Sequence, residues 1–209
     1  MLSELVDARS KRRPVAYEVN THTWARALVE TGHDDRFRAD RSGFDEEGVT
    51  FVGLHNPPLR MIIVGAVHIA QALAPIARMS GYDVTLVDPR EAFGSAARFP
   101  DETILHDWPD EALAGLGLDA RTAVVTLSHD PKIDDPAILT ALGSDAFYLG
   151  CLGSTRTHAK RVARLEEAGL PPKKIARIHA PIGLNIKSRS PAEIAISIMA
   201  EITQVLRAG

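Results

Sequence analysis

The stretch Met61-Ile62-Ile63-Val64-Gly65-Ala66-Val67-His68-Ile69-Ala70 runs from an apolar segment into a helical pattern through one glycine turn. Gly65 stands where a tight turn needs positive φ, and Ala70 takes the small position where a helix packs on its strand. Asp88 ends the following strand 23 positions after Gly65, where a carboxylate can accept a hydrogen bond from a ribose hydroxyl. The middle position of the turn is Val67, not glycine, and its branched side chain fills the space through which a pyrophosphate approaches the backbone. The turn therefore speaks more strongly for a βα fold than for ordinary dinucleotide binding. A purely structural role also suits these residues, with Gly65 as a turn and Asp88 as a strand-end cap on Arg90.

Outward from this turn, apolar runs and helical patterns alternate. Strands are predicted at residues 59–64, 83–87, 122–127 and 147–149. Helices are predicted at 67–80, with Pro75 expected to bend the first, and at 135–142 and 155–168. The last helix is the best marked: Ser190 is its N-cap, Pro191 its first residue and Glu193 the return partner of a capping box. Ile194, Ile198, Ile202 and Val205 then form one apolar stripe. These elements predict a doubly wound parallel sheet, Rossmann-like α/β, over residues 59–209. Residues 1–58, up to the break at Asn56-Pro57-Pro58, read as a small appendage with a short helix, carrying Trp24 and Leu28 on one face, and a strand at VTFVGL, residues 49–54.

The chain has 209 residues, 45% apolar and 24% charged, which is ordinary globular composition. The net charge of −3 argues against bulk binding of nucleic acid, and no apolar segment is long enough for a membrane span. Cys151 is the sole cysteine, which excludes a disulfide framework and suits a reducing compartment. A cytoplasmic location is the expectation. The small net charge conceals two opposed regions: residues 151–178 carry 7 basic and 2 acidic side chains, and residues 81–119 carry 2 and 9.

The basic region begins with a second glycine-bearing turn, Gly150-Cys151-Leu152-Gly153-Ser154-Thr155-Arg156-Thr157-His158. A strand ends, the glycines permit a turn, and Ser154 or Thr155 caps a helix whose first N–H groups suit an oxyanion. Arg156, Lys160, Arg161 and Arg164 add charge along that helix, although an ordinary capped helix with a solvated basic face has the same composition. Cys151 sits where a helix start and nearby cations lower a thiol pKa, or where a small apolar side chain is simply needed. Of eight histidines, His68, His129, His158 and His179 follow strand ends, the rim where open α/β sheets bind ligands. His129-Asp130 adds further polar groups. No pair of histidines has zinc-ligand spacing, no metal site is assigned, and no catalytic triad or nucleophile elbow can be read from the spacing.

Five stretches in order make a family resemblance: RMIIVGAVHIAQALAPIA at 60–77, VTLVDPREAF at 84–93, VVTLSHDPKIDDPAIL at 124–139, YLGCLGSTRTHAKRVARL at 148–165 and IHAPIGLNIKSRSPAEIAISIMAEI at 178–202. Together they resemble the C-terminal Rossmann domain of the XdhC/CoxI family, accessory factors of xanthine dehydrogenase, carbon monoxide dehydrogenase and related molybdenum hydroxylases. The resemblance implies a molybdenum-cofactor chaperone that binds the pterin cofactor, aids its sulfuration or protects it, and passes it to the apoenzyme. It implies a molybdenum hydroxylase as partner, with a sulfurating cysteine desulfurase as a second. The candidate cofactor contacts are Gly65, Val67, His68, Asp88, Arg90, His129, Asp130, Gly150, Cys151, Gly153, Ser154, Arg156, Thr157, His158, His179 and Gly183. The phosphate is expected at either the Gly153-Ser154-Arg156 turn or the Gly65 turn.

Three departures from the family pattern stand out. Residues 1–44 are too short for the separate N-terminal domain of longer members and lack its glycine-cysteine motif. Cys151 replaces a common alanine, and Asn185-Ile186-Lys187 is more basic than the usual Asp-Ile-Gly. The alternative function is an NAD(P)- or nucleotide-binding oxidoreductase, which Asp88 favours and Val67 opposes. A metal-dependent hydrolase built on the histidines is the third. The appendage also offers a surface for pairing with a second copy of the chain.

Overall fold

Six parallel strands, in the order Ile178–His179, Tyr148–Cys151, Thr122–Thr126, Leu59–Val64, Tyr82–Val87 and Thr103–Leu105, organise the larger of two compact units, Pro58–Leu206. The computed structural model describes residues 1–208. In chain order the unit contains β5 (Leu59–Val64), α3 (His68–Met79), β6 (Tyr82–Val87), β7 (Thr103–Leu105), α4 (Pro109–Leu116) and β8 (Thr122–Thr126). Next come α5 (Pro131–Leu142), β9 (Tyr148–Cys151), α6 (Thr155–Glu167), α7 (Pro172–Ile175), β10 (Ile178–His179) and α8 (Pro191–Ala208). The chain starts in the middle of the sheet at β5, runs outward through β6 and β7, then returns to β8 on the other side of β5. The strand order reverses between β5 and β8, which is where sheets of this kind open a crevice at their C-terminal ends.

Alternation along β5 divides the core. Met61 and Ile63 pack on one face with Leu73 of α3 and Ile198 and Ile202 of α8. Ile62 and Val64 pack on the other with Ile138 and Leu142 of α5 and Leu165 of α6. Each such side chain removed from water contributes about 1.5–3 kcal/mol, so helices on both faces secure the strands that carry the rim. The α8 capping box forms as the sequence requires: Glu193 N–H donates to Ser190 Oγ at 3.2 Å, and Ser190 N–H donates to Glu193 Oε2 at 2.9 Å. Helix α3 continues through Pro75. Helix α5 starts four residues before the predicted position, because Asp130 caps it by accepting from Lys132 N–H and Pro131 supplies a preset first residue.

The other unit, Met1–Pro57 with Arg207 and Ala208, has its own sheet. Here α1 (Leu2–Ser10) precedes β1 (Val15–Asn20), β2 (Arg26–Val29), α2 (Asp34–Ala39), β3 (Gly43–Phe44) and β4 (Thr50–His55). The strands are antiparallel in the order β2-β1-β4-β3, around a small core of Val15, Ala16 and Val52. This corrects the expected helix through Trp24 and Leu28. Asn20 Oδ1 accepts from His22 and Thr23 N–H, Trp24 adopts φ 58, and the chain turns into a hairpin with Leu28 in β2. Local turn chemistry overrides a helical spacing of two residues. Among the described residues no helix is long and apolar enough to cross a membrane.

Candidate functional site

The β5 turn fits its glycine for two reasons. Gly65 has φ +101, and a Cβ there would lie 2.8 Å from Ser128 N. Its backbone thus closes against the loop after β8, across the point where strand order reverses. Ala66 N–H donates to Asp88 Oδ2 at 2.8 Å. Asp88 is fully buried, and Arg90 grips it with Nε on Oδ1 and Nη2 on Oδ2, both at 2.8 Å, while Arg90 N–H adds a bond to Oδ1. Burial opposes the charge, yet Arg90 and the two backbone donors hold the carboxyl below its usual range. Both oxygens are engaged inside the protein, so the geometry at Asp88 is that of the strand-end cap and leaves little for a ribose. Arg90 also lies 4.1 Å over the Phe93 ring, in the field of Asp130 and Asp134. Val67 is the half-buried N-cap of α3, and His68 is exposed at its first turn.

The loop after β8 carries His129, exposed and at φ 63. Ser128 Oγ donates to Asp134 Oδ1 at 2.6 Å and accepts from Asp130 N–H. Asp134 is buried, which pushes its carboxyl up against the lowering effects of Ser128, Arg161 and His129.

The β9–α6 connection separates two glycines that the sequence suggested acting alike. Gly153, at φ +138, makes the turn, and a Cβ there would meet Thr157 Cγ2 at 2.9 Å. Gly150 instead lies inside β9, paired with Val125 and His179, and a Cβ would sit 2.6 Å from Tyr148 Oη and 2.5 Å from Ile182. Its role is close packing, which corrects the turn reading. Cys151 is also a strand residue; it is fully buried, and burial pushes its thiol up to about 11 despite nearby Arg161. That corrects the reading of a lowered thiol pKa. Ser154 caps α6 by accepting from Thr157 N–H at 3.2 Å.

Between the starts of α5 and α6 lies a cavity of about 490 Å³, lined by His129, Arg156, Thr157, Lys160, Arg161 and Arg164, with Asp134 on the α5 side. Three of the expected site residues, His129, Arg156 and Thr157, thus come together. Arg164 is held by Asp135 through bonds of 2.6 and 2.9 Å, whereas Arg156 and Lys160 are exposed at the mouth. Arg161 is only 3% exposed; its Nη2 donates to Leu152 O, and its Nε and Nη1 are buried without a hydrogen-bond partner. His158 lies beside this helix face, and burial with Arg161 pushes its pKa down, favouring the neutral ring. The α6 periodicity of 156, 160 and 164 was the available signal for this wall, but the depth of Arg161 was not.

His179 and Gly183 belong to a different cluster. Tyr148 Oη donates to Glu201 Oε2 at 2.5 Å, Gly183 N–H donates to the same oxygen at 2.8 Å, and His179 Nδ1 lies 3.4 Å from Oε1. The Tyr148 and His179 rings stack at 4.7 Å. Neither Tyr148 nor Glu201 was identifiable from the sequence, because they meet only through the fold. Among the described residues no group of three or more His, Cys, Asp or Glu is arranged to hold a metal ion.

The family description XdhC Rossmann domain matches residues 61–202. The chain belongs to the XdhC family. The molybdenum cofactor insertion chaperone PaoD of Escherichia coli K12 is 31% identical over 204 residues, 98% of this chain and 55% of PaoD. A probable xanthine dehydrogenase subunit from Bacillus subtilis 168 is 30% identical over 77% of this chain and 47% of its own length. The E. coli protein YqeB is 33% identical over 83% of this chain and 32% of YqeB. This chain therefore spans from about a third to just over half of the length of these relatives. A crystal structure described as a xanthine dehydrogenase from Bacillus halodurans superposes with a TM-score of 0.73 at 25% identity, covering 99% of this chain and 64% of that one.

Proposed function

We propose that this chain binds the molybdenum cofactor and serves as an accessory factor in the maturation of a molybdenum hydroxylase of the xanthine dehydrogenase or carbon monoxide dehydrogenase type. The observation that carries this reading is the cationic cavity at the ligand rim of the sheet, in a chain related along 98% of its length to a molybdenum cofactor insertion chaperone. The cofactor's phosphate needs charge-assisted donors, and its pterin needs polar edges. Arg156, Lys160 and the Ser154-capped start of α6 suit the first need, while His129 and Thr157 at the cavity suit the second. Each charge-assisted bond to the phosphate would contribute about 1.5–3 kcal/mol. The α6 turn is preferred to the Gly65 turn for the phosphate because Asp88 and Arg90 already neutralise each other there, and Val67 crowds the approach. The chain then works by holding and handing over its cargo, and none of its residues is assigned a bond-making role.

Purification from cells that make the cofactor, followed by denaturation and assay of the oxidised pterin, tests this reading. Pterin released in a fixed ratio to protein is expected, and titration of the ligand-free protein with NAD or NADP is expected to give no micromolar binding. No pterin together with tight NAD binding would replace the proposal with a nucleotide-dependent oxidoreductase. Capture of an apo-hydroxylase, with a cysteine desulfurase as a second bait, tests the handover.

A further inference from the structure

We infer that Arg161 anchors an oxyanion subsite at the floor of the α5–α6 cavity, and that the subsite takes a dianionic tetrahedral group, the phosphate of a phosphomonoester or free inorganic phosphate. An imbalance of donors sets Arg161 apart. A guanidinium presents five N–H donors in a rigid fork and stays charged, so burial without partners is unfavourable. Arg161 is 3% exposed, yet only its Nη2 has a partner, the Leu152 carbonyl, while Nε and Nη1 have none. Each of the free donors, Nε and Nη1, shares an edge of the fork with Nη2, so an oxyanion can be held from either edge beside the bond to Leu152.

The surroundings suit an anion. Thr157 lies one helical turn before Arg161, and Arg156 and Lys160 guard the mouth of the cavity. Arg164 is already neutralised by Asp135, which leaves three positive side chains facing the cavity against one carboxylate, Asp134. Asp134 itself accepts from Ser128 Oγ and is buried. A dianion balances that surplus better than a neutral ligand. The subsite rests on the cofactor reading and deepens it by assigning Arg161, buried and bonded to the turn through Leu152 O, as the residue that fixes the phosphate.

The test uses the full chain freed of bound ligand, titrated calorimetrically with inorganic phosphate and with phenyl phosphate in chloride buffer at constant ionic strength. Saturable binding of one equivalent is expected. Tighter binding of phenyl phosphate points to an esterified ligand, and equal or weaker binding points to the free ion. Arg161→Lys keeps the charge but loses the fork and is expected to weaken binding at least tenfold, with its circular dichroism unchanged. Should that variant fail to fold, the exposed pair R156A/K160A is expected to fold normally and weaken binding severalfold. The subsite is overturned if the native chain shows no saturable phosphate binding, or if a folded R161K, or failing that R156A/K160A, binds as the native chain does. Pterin retention is measured in parallel on the native chain, so loss of the subsite and loss of the cofactor reading give different results.

Discussion

Tyr148 and Glu201 stand 53 positions apart in the chain and meet in a hydroxyl-to-carboxylate hydrogen bond of 2.5 Å that ties β9 to α8. The same carboxylate oxygen accepts from Gly183 N–H, so one side chain secures a strand, a loop and the final helix. Burial opposes its charge, but His179, Tyr148 and Gly183 hold Glu201 below its usual pKa. A carboxyl depressed on folding stabilises the native state above its unfolded pKa, and that contribution disappears as pH falls through the folded value. Glu201→Gln is therefore expected to cost about 1–2 kcal/mol near neutral pH. The gap from the native chain should close on acidification, as read from urea unfolding across the acid range. A gap that widens toward acid would contradict this assignment.

Asp88 is expected to act on stability through the same kind of linkage. Its carboxyl is depressed by Arg90 and by the Ala66 and Arg90 backbone donors, against the opposing effect of burial. Asp88→Asn leaves Arg90 half-paired and loosens the β5 turn, at a cost of about 2–3 kcal/mol given the partial exposure of Arg90. Denaturant melts measure this directly, and a neutral effect would show that the ion pair is not what holds the turn.

Two glycines should differ in a graded way. At Gly65 a methyl group would meet the Ser128 backbone, and the residue sits at φ +101, so Gly65→Ala is expected to cost about 3 kcal/mol or more. At Gly150 no positive φ is required and the obstacles are side-chain atoms, Tyr148 Oη and Ile182 Cδ1 and Cγ1, not backbone. Gly150→Ala should cost less, about 1–3 kcal/mol. Thermal melts of the two variants check the order, and a reversed order would contradict the packing described.

The thiol of Cys151 is expected to be inert in the folded protein. It is fully buried and pushed up to about 11, so little thiolate exists near neutral pH. A disulfide reagent at pH 8 should label it slowly in the native chain and rapidly in denaturant. Rapid labelling of the native chain would contradict the burial.

Much of the parallel sheet was legible because its signals are local. The apolar run at 59–64, Gly65 and the Ser190–Glu193 box each state their geometry within a few residues. The antiparallel sheet of the first unit was less so, because β2 and β3 have only four and two residues and Asn20 hides a hairpin in a helix-like spacing. The site divides along the same line. Arg156 and Thr157 are readable from the α6 turn, and the 156–160–164 spacing hints at a charged wall. The depth of Arg161, the saturation of Asp88 and the packing role of Gly150 are properties of neighbours brought from elsewhere in the chain, and no local pattern encodes them.

The most direct measurement is the pterin content of the native chain and of Arg156→Ala, each purified from cells that make the molybdenum cofactor. Arg156 is exposed at the cavity mouth, so its removal should leave the melting temperature nearly unchanged. Native protein carrying pterin, and a variant that folds equally well but retains several-fold less, is the expected result. Native protein without pterin, or a variant that retains it undiminished, would contradict cofactor binding at the α6 cavity.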